Sequence, residues 1–168
     1  MILNTLTLFH VVLSLIGIVA GFAVVRGLLF SDPPYRGTTP FMATTAATSV
    51  TGFFFPFHGF TPAQAVGLLS LILVVTAGFA VYRHNLAHGG RRTFAVAAVI
   101  ALYFNVFILV VQLFRKVPAL QAVAPTQSEP PFQAAQALVF VIFVAIGIRA
   151  VGKTKVVAGS PQKKETYV

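Results

Sequence analysis

Five apolar stretches divide this chain, and only when all five are taken as membrane crossings do its basic residues gather on one side. The stretches run from about Leu6 to Val25, Pro40 to Phe57, Ala63 to Tyr82, Thr93 to Phe114 and Gln133 to Val151. Each is near the ~20 residues that a helix needs to cross a hydrocarbon layer. A lipid-embedded segment must satisfy its own backbone hydrogen bonds, so such stretches are read as helices. The expected fold is therefore all-α: a polytopic transmembrane bundle of five spans over residues 1–151, followed by a basic tail, 152–168, with the composition of a disordered end.

Orientation follows Lys and Arg in short loops. With five spans, Arg26, Arg36, Arg83, Arg91, Arg92, Arg149, Lys153, Lys155, Lys163 and Lys164 share a side, and only Arg115 and Lys116 oppose them. If the Thr-rich second stretch did not cross, the same twelve residues would divide eight against four. The ten-to-two division places the N-terminus outside and the C-terminus in the cytoplasm. The first stretch is read as a retained helix, because no basic n-region precedes it and its apolar run has full span length.

Composition narrows the function classes. With 57% hydrophobic and 9% charged residues the chain has no room for a soluble domain. Its net charge of +9 flanks spans, so anionic lipid at the cytoplasmic face of the bilayer is the expected partner and nucleic acid is not. A membrane-protein partner or self-association stays open. The absence of Cys excludes disulfides, thiolate metal sites and covalent c-type haem. The three acids, Asp32, Glu129 and Glu165, fall in separate segments, so paired-carboxylate chemistry lacks its residues. No Walker loop, GxSxG elbow or dinucleotide fingerprint occurs.

Within the spans, polar and small residues mark the faces that turn inward. His10, Ser14, Gly17 and Gly21 form one stripe, with Gly17 and Gly21 a GxxxG suited to close helix packing. Thr48 and Thr51 on the second span and Asn105 and Gln112 on the fourth complete, with His10, a candidate intramembrane polar cluster. His58, Gln64, Arg115, Lys116 and Glu129 form a candidate rim at the outer surface. His10 is the one ionisable residue well inside a span, which makes it a functional hypothesis by position alone. Interhelical hydrogen bonding is the simpler role for all these residues. His84 and His88 have a spacing that can bind metal, but the adjacent Arg83, Arg91 and Arg92 disfavour a cation there, and no metal site is assigned.

An internal repeat is suggested at an offset of 57 residues. Ala20–Arg26 (AGFAVVR) and Ala77–Arg83 (AGFAVYR) agree at six of seven positions, and each follows Leu-Ser-Leu-Ile. Carried forward, the offset sets Thr48 on Asn105 and makes two parallel helical hairpins plus one helix, a known transporter design.

The run Tyr103–Leu120 (YFNVFILVVQLFRKVPAL), followed by Ala124–Phe132 (APTQSEPPF), resembles small uncharacterised bacterial inner-membrane proteins. The resemblance covers about a sixth of the chain and implies a bacterial membrane protein, with no site residues carried over. Two functional expectations follow. One is a non-enzymatic scaffold, accessory subunit or small transporter. The other is a redox subunit holding haem b or quinone near His10.

Overall fold

The computed structural model describes residues 2–30, 35–55, 61–82 and 89–158. All regular structure among them is helical: α1 (Ile2–Phe30), α2 (Thr38–Gly52), α3 (Pro62–Tyr82), α4 (Gly89–Lys116), α5 (Pro118–Val123) and α6 (Pro130–Ala158). Four helices are long and apolar enough to cross a membrane, over Thr5–Phe30, Pro62–Tyr82, Gly89–Lys116 and Pro130–Lys153.

The second expected span is the exception. In place of Pro40 to Phe57, α2 has 15 residues, roughly 22 Å at 1.5 Å per residue, against a hydrocarbon core of about 30 Å. Its composition explains the short length: six Thr and one Ser weaken the helix, and Gly52 ends it in a turn through Phe53 and Phe54, whose N–H groups donate to Val50 and Thr51 carbonyls. Other boundaries also differ from the sequence reading: α1 runs from Ile2 to Phe30 and so takes in Arg26, and α6 starts at Pro130, three residues before Gln133. Helix α4 begins four residues early, so Arg91 and Arg92 belong to its first turns and not to a loop. Helix α6 continues to Ala158, through the first part of the expected tail; residues 159–168 lie outside the described residues.

Side-chain contacts fix the helix directions. Along α1 and α2, His10 meets Thr51, Gly17 meets Thr44, Gly21 meets Phe41 and Gly27 meets Tyr35, an antiparallel pairing. Helix α3 runs antiparallel to α2, with Gly67 beside Phe53 and Gly78 beside Met42. Thr45 with Asn105 and Tyr35 with Phe94 set α4 parallel to α2. Tyr103 with Phe143 and Val99 with Gly147 set α6 antiparallel to α4. Helix directions therefore alternate through α1, α2, α3, α4 and α6. Although α2 is short, its flanks extend it, because Tyr35 lies level with Gly27 and Phe55 level with His10. That interval is 17 residues of α1, about 26 Å.

The core lies towards the end of the bundle where α4 begins. Val24, Leu28, Phe41, Phe94 and Leu102 are fully enclosed, and Ala95, Ala97, Ala98 and Ala101 of α4 pack among them. Lipid tails are as apolar as these side chains, so close packing takes the place of a hydrophobic driving force. Two glycines make the α1–α2 approach possible. A Cβ at Gly21 would stand 2.6 Å from Leu102 Cδ1 and 2.9 Å from Phe41 Cε2. One at Gly17 would stand 3.0 Å from Thr44 Oγ1, which is held by its own bond to the Pro40 carbonyl, 2.6 Å. Gly37 begins α2 at φ 87°, in the left-handed region, and a Cβ there would press the Ala20 carbonyl at 2.9 Å.

Gly21→Leu is expected to destabilise the bundle by about 1–3 kcal/mol, the usual range for overpacking, with Gly17→Leu at the lower end. Val19→Leu, at a position 71% exposed, should leave stability unchanged. Thermal unfolding of the three variants in one detergent checks the order; equal tolerance would mean that α1 and α2 do not meet at these glycines.

Candidate functional site

The candidate cluster resolves into two polar nodes at different depths. At the outer node, Thr51 donates its hydroxyl proton to the Ala47 carbonyl at 2.8 Å, as Thr commonly does within a helix. The same hydroxyl lies 2.9 Å from His10 Nδ1, a hydrogen bond between the two side chains. The edge-to-face contact of the imidazole with Phe55, ring centroids 5.2 Å apart and planes at 89°, fixes the ring from a second direction. Gly52 leaves the space, since a Cβ there would lie 3.6 Å from His10 Cε1. Ser14 turns away from this node and donates to the His10 carbonyl, 2.9 Å.

The inner node lies six residues further back along α2, about 9 Å deeper. Asn105 Nδ2 donates to Thr45 Oγ1 at 3.0 Å, and Thr45 is fully buried. Thr48 Oγ1, between the two nodes, is buried with no hydrogen-bond partner among the described residues. The sequence reading included Thr48 in the cluster; the residue of α2 that bonds Asn105 is Thr45. Gln112 joins neither node; it is exposed, about 10 Å along α4 beyond Asn105.

Each described residue of the expected rim has a local setting of its own. His58, like His84 and His88, lies outside the described residues. Gln64 is 7% exposed and belongs to a reciprocal cap on α3: its Oε1 accepts from the Thr61 N–H and hydroxyl at 2.8 and 3.1 Å, and its own N–H donates to Thr61 Oγ1 at 3.3 Å. Thr61-x-x-Gln64 is a capping box that the sequence carried and the reading missed. Arg115 and Lys116 are exposed in the last turn of α4, where positive charge favours the helix terminus.

Glu129 is engaged where the chain turns into α6. The Thr126 N–H and hydroxyl donate to Oε1 at 3.0 and 2.8 Å, and the Ser128 N–H donates to Oε2 at 3.1 Å. Partial removal of water raises the Glu129 pKa, but these donors outweigh it and hold the carboxyl below its ordinary range. Beside it, Gln127 adopts φ 62°, an uncommon conformation for a residue other than glycine, and its Nε2 donates to the Val111 carbonyl at 3.0 Å. Gln136 Nε2 reaches the Phe107 carbonyl at 3.2 Å, tying α6 to α4.

At the opposite end of the bundle is a node with no counterpart in the sequence reading. Tyr35 stacks on Phe94, centroids 5.7 Å apart and planes at 10°, and the buried Arg91 guanidinium lies 5.7 Å from the Tyr35 ring centre. A cleft between α4 and α6 is lined by apolar surface alone.

The second imidazole that a bis-His haem at His10 would take from the same side, His58, lies outside the described residues. Among the described residues no group of three or more His, Asp or Glu could hold a metal ion. No known protein family, curated protein or solved structure matches the chain.

Chemically, the two nodes are interhelical bonds: α1 to α2 through His10 and Thr51, and α2 to α4 through Thr45 and Asn105. Thr51→Val and His10→Leu should each destabilise by about 0.6–2 kcal/mol, the range for such bonds in membranes. The double variant should lose less than the sum, because each single change removes the same bond. Gln112→Leu should be neutral. Strict additivity of the first two, measured by unfolding in mixed micelles, would show that the bond contributes nothing.

Proposed function

We propose that this chain is a non-enzymatic accessory or scaffold protein of a bacterial cytoplasmic membrane, crossing it five times with its N-terminus outside. The observation that carries the reading is the engagement of its polar groups. His10, Thr51, Asn105, Gln64 and Glu129 all bond to side chains or backbone within the fold. Alongside these internal bonds, α6 exposes Leu138, Val141, Ile142 and Ile148 along an outward face. A helix held mainly along one side by α4 is suited to pack against a neighbouring membrane protein.

The alternation of helix directions supports a fifth crossing by α2, despite its length. Its flanking turns reach from the level of Gly27 to that of His10, and α1 and α3 pack against it. Ten basic residues on the cytoplasmic side against two outside support the same orientation. The two antiparallel hairpins, α1–α2 and α3–α4, are compatible with a duplication at the 57-residue offset.

The native chain has no Cys, which makes single-cysteine labelling clean. In intact spheroplasts Ile2→Cys and Ser128→Cys should react with an impermeant maleimide, and Lys153→Cys only after permeabilisation. Residues 2 and 153 on the same side would mean four crossings. For the accessory role, a photocrosslinker at Val141 should give one discrete protein adduct in native membranes, and the purified protein should be colourless. A Soret band lost in His10→Ala would replace the accessory reading with a haem b subunit.

A further inference from the structure

Between α4 and α6 runs a cleft of about 210 Å³, partly open along one side. Val96, Val99 and Tyr103 line it from α4, and Phe140, Gly147 and Val151 from α6. Glycine is not needed at 147 for the helices to approach, because a Cβ there would meet only Val99 Cγ1 at 3.7 Å, an ordinary contact. What the missing side chain leaves is room inside the cleft. One end is closed by rings: Tyr103 meets Phe140 edge-on at 6.0 Å and Phe143 at 5.8 Å. The other end, at Val96 and Val151, lies near the basic end of the bundle. From the rings to that end the cleft is some 10 Å long measured along α4 and about 16 Å along α6, at 1.5 Å per residue.

Arg92 precedes Val96 by one helical turn and so lies on the same row of α4. It is exposed, and among the described residues it forms no hydrogen bond or ion pair. Its neighbour Arg91 differs, being buried against Tyr35. Countercharge from the described residues is lacking at this end, since Glu129 sits at the other end and is held by Thr126 and Ser128.

We propose that the cleft holds one acyl chain of an anionic glycerophospholipid whose phosphate rests on Arg92. The apolar walls take the chain, the rings around Tyr103 limit how far it enters, and the guanidinium selects the head group by charge and by its paired donors. The proposal requires that Arg92 lie at head-group depth in a bilayer. It does not require a protein partner on α6, whose outward face is separate from the cleft.

Native mass spectrometry of the full chain tests this, titrating phosphatidylglycerol and phosphatidylcholine of identical acyl chains. The parent should retain one phosphatidylglycerol with roughly five-fold preference, the effect of one basic residue near an anionic surface. Arg92→Gln should lose the preference but keep a bound lipid. Gly147→Leu should retain neither lipid while keeping its helicity and lipid-free thermal stability. Val144→Phe, at the exposed lip of the cleft, supplies a second filling variant that disturbs no glycine. Equal retention of the two lipids by the parent, or undiminished phosphatidylglycerol in both filling variants, would overturn the proposal.

Discussion

The close approach of α1 to α2 is the contact on which the remaining architecture depends. Gly17 and Gly21 let the backbone of α1 come within reach of Thr44, Phe41 and Leu102, and the same proximity brings His10 to Thr51. In lipid such contact is a large part of what holds helices together, because burying apolar surface against another apolar surface gains little. A helix as short and Thr-rich as α2 would be a poor independent membrane segment. Packed against α1 and α3, with Thr45 reaching Asn105 on α4, it draws its contacts from three neighbouring helices.

Two kinds of information were legible in the sequence to different degrees. Helix-face periodicity was: the stripe His10, Ser14, Gly17, Gly21 depends only on residues three and four apart, and three of its members face α2. Pairing between distant helices was not. Asn105 and Thr45 are sixty residues apart, and Thr45 and Thr48 have the same chemistry three positions apart on one helix, so nothing local distinguishes the bonded one. The length of α2 was misjudged because apolar composition continues past Gly52 into Phe53, Phe54 and Phe55, whereas the helix stops at the glycine. Arg91 was assigned to a basic loop by its charge, although two early turns of α4 bury it against Tyr35.

The two ends of the bundle satisfy their polar groups differently. At the end holding Glu129, a single carboxylate accepts three donors from Thr126 and Ser128, and a left-handed Gln127 ties the loop to α4. This organisation is local, which suits a loop rich in proline whose fixed φ angles already limit its freedom. At the opposite end the ordering comes from stacking, with Tyr35 between Gly27 on one side and Phe94 on another, and Arg91 over its ring. An aromatic anchor there sets where the chain turns back into α2, and with it the register of α2 against α1.

That register bears on how the buried polar groups should be interpreted. A one-turn shift of α2 along α1 would move Thr51 away from His10 and place Thr48 Oγ1, which has no described partner, at a different depth. The His10–Thr51 and Asn105–Thr45 bonds act at two depths on two different neighbours of α2, so a slide that preserves one breaks the other. Interhelical bonds of this kind contribute about 0.6 kcal/mol on average in membranes, too little for one alone to hold a helix. Together with the close contacts at Gly17 and Gly21 they favour the observed register. The bonded polar residues of this bundle thus bear on which alignment of its helices is adopted.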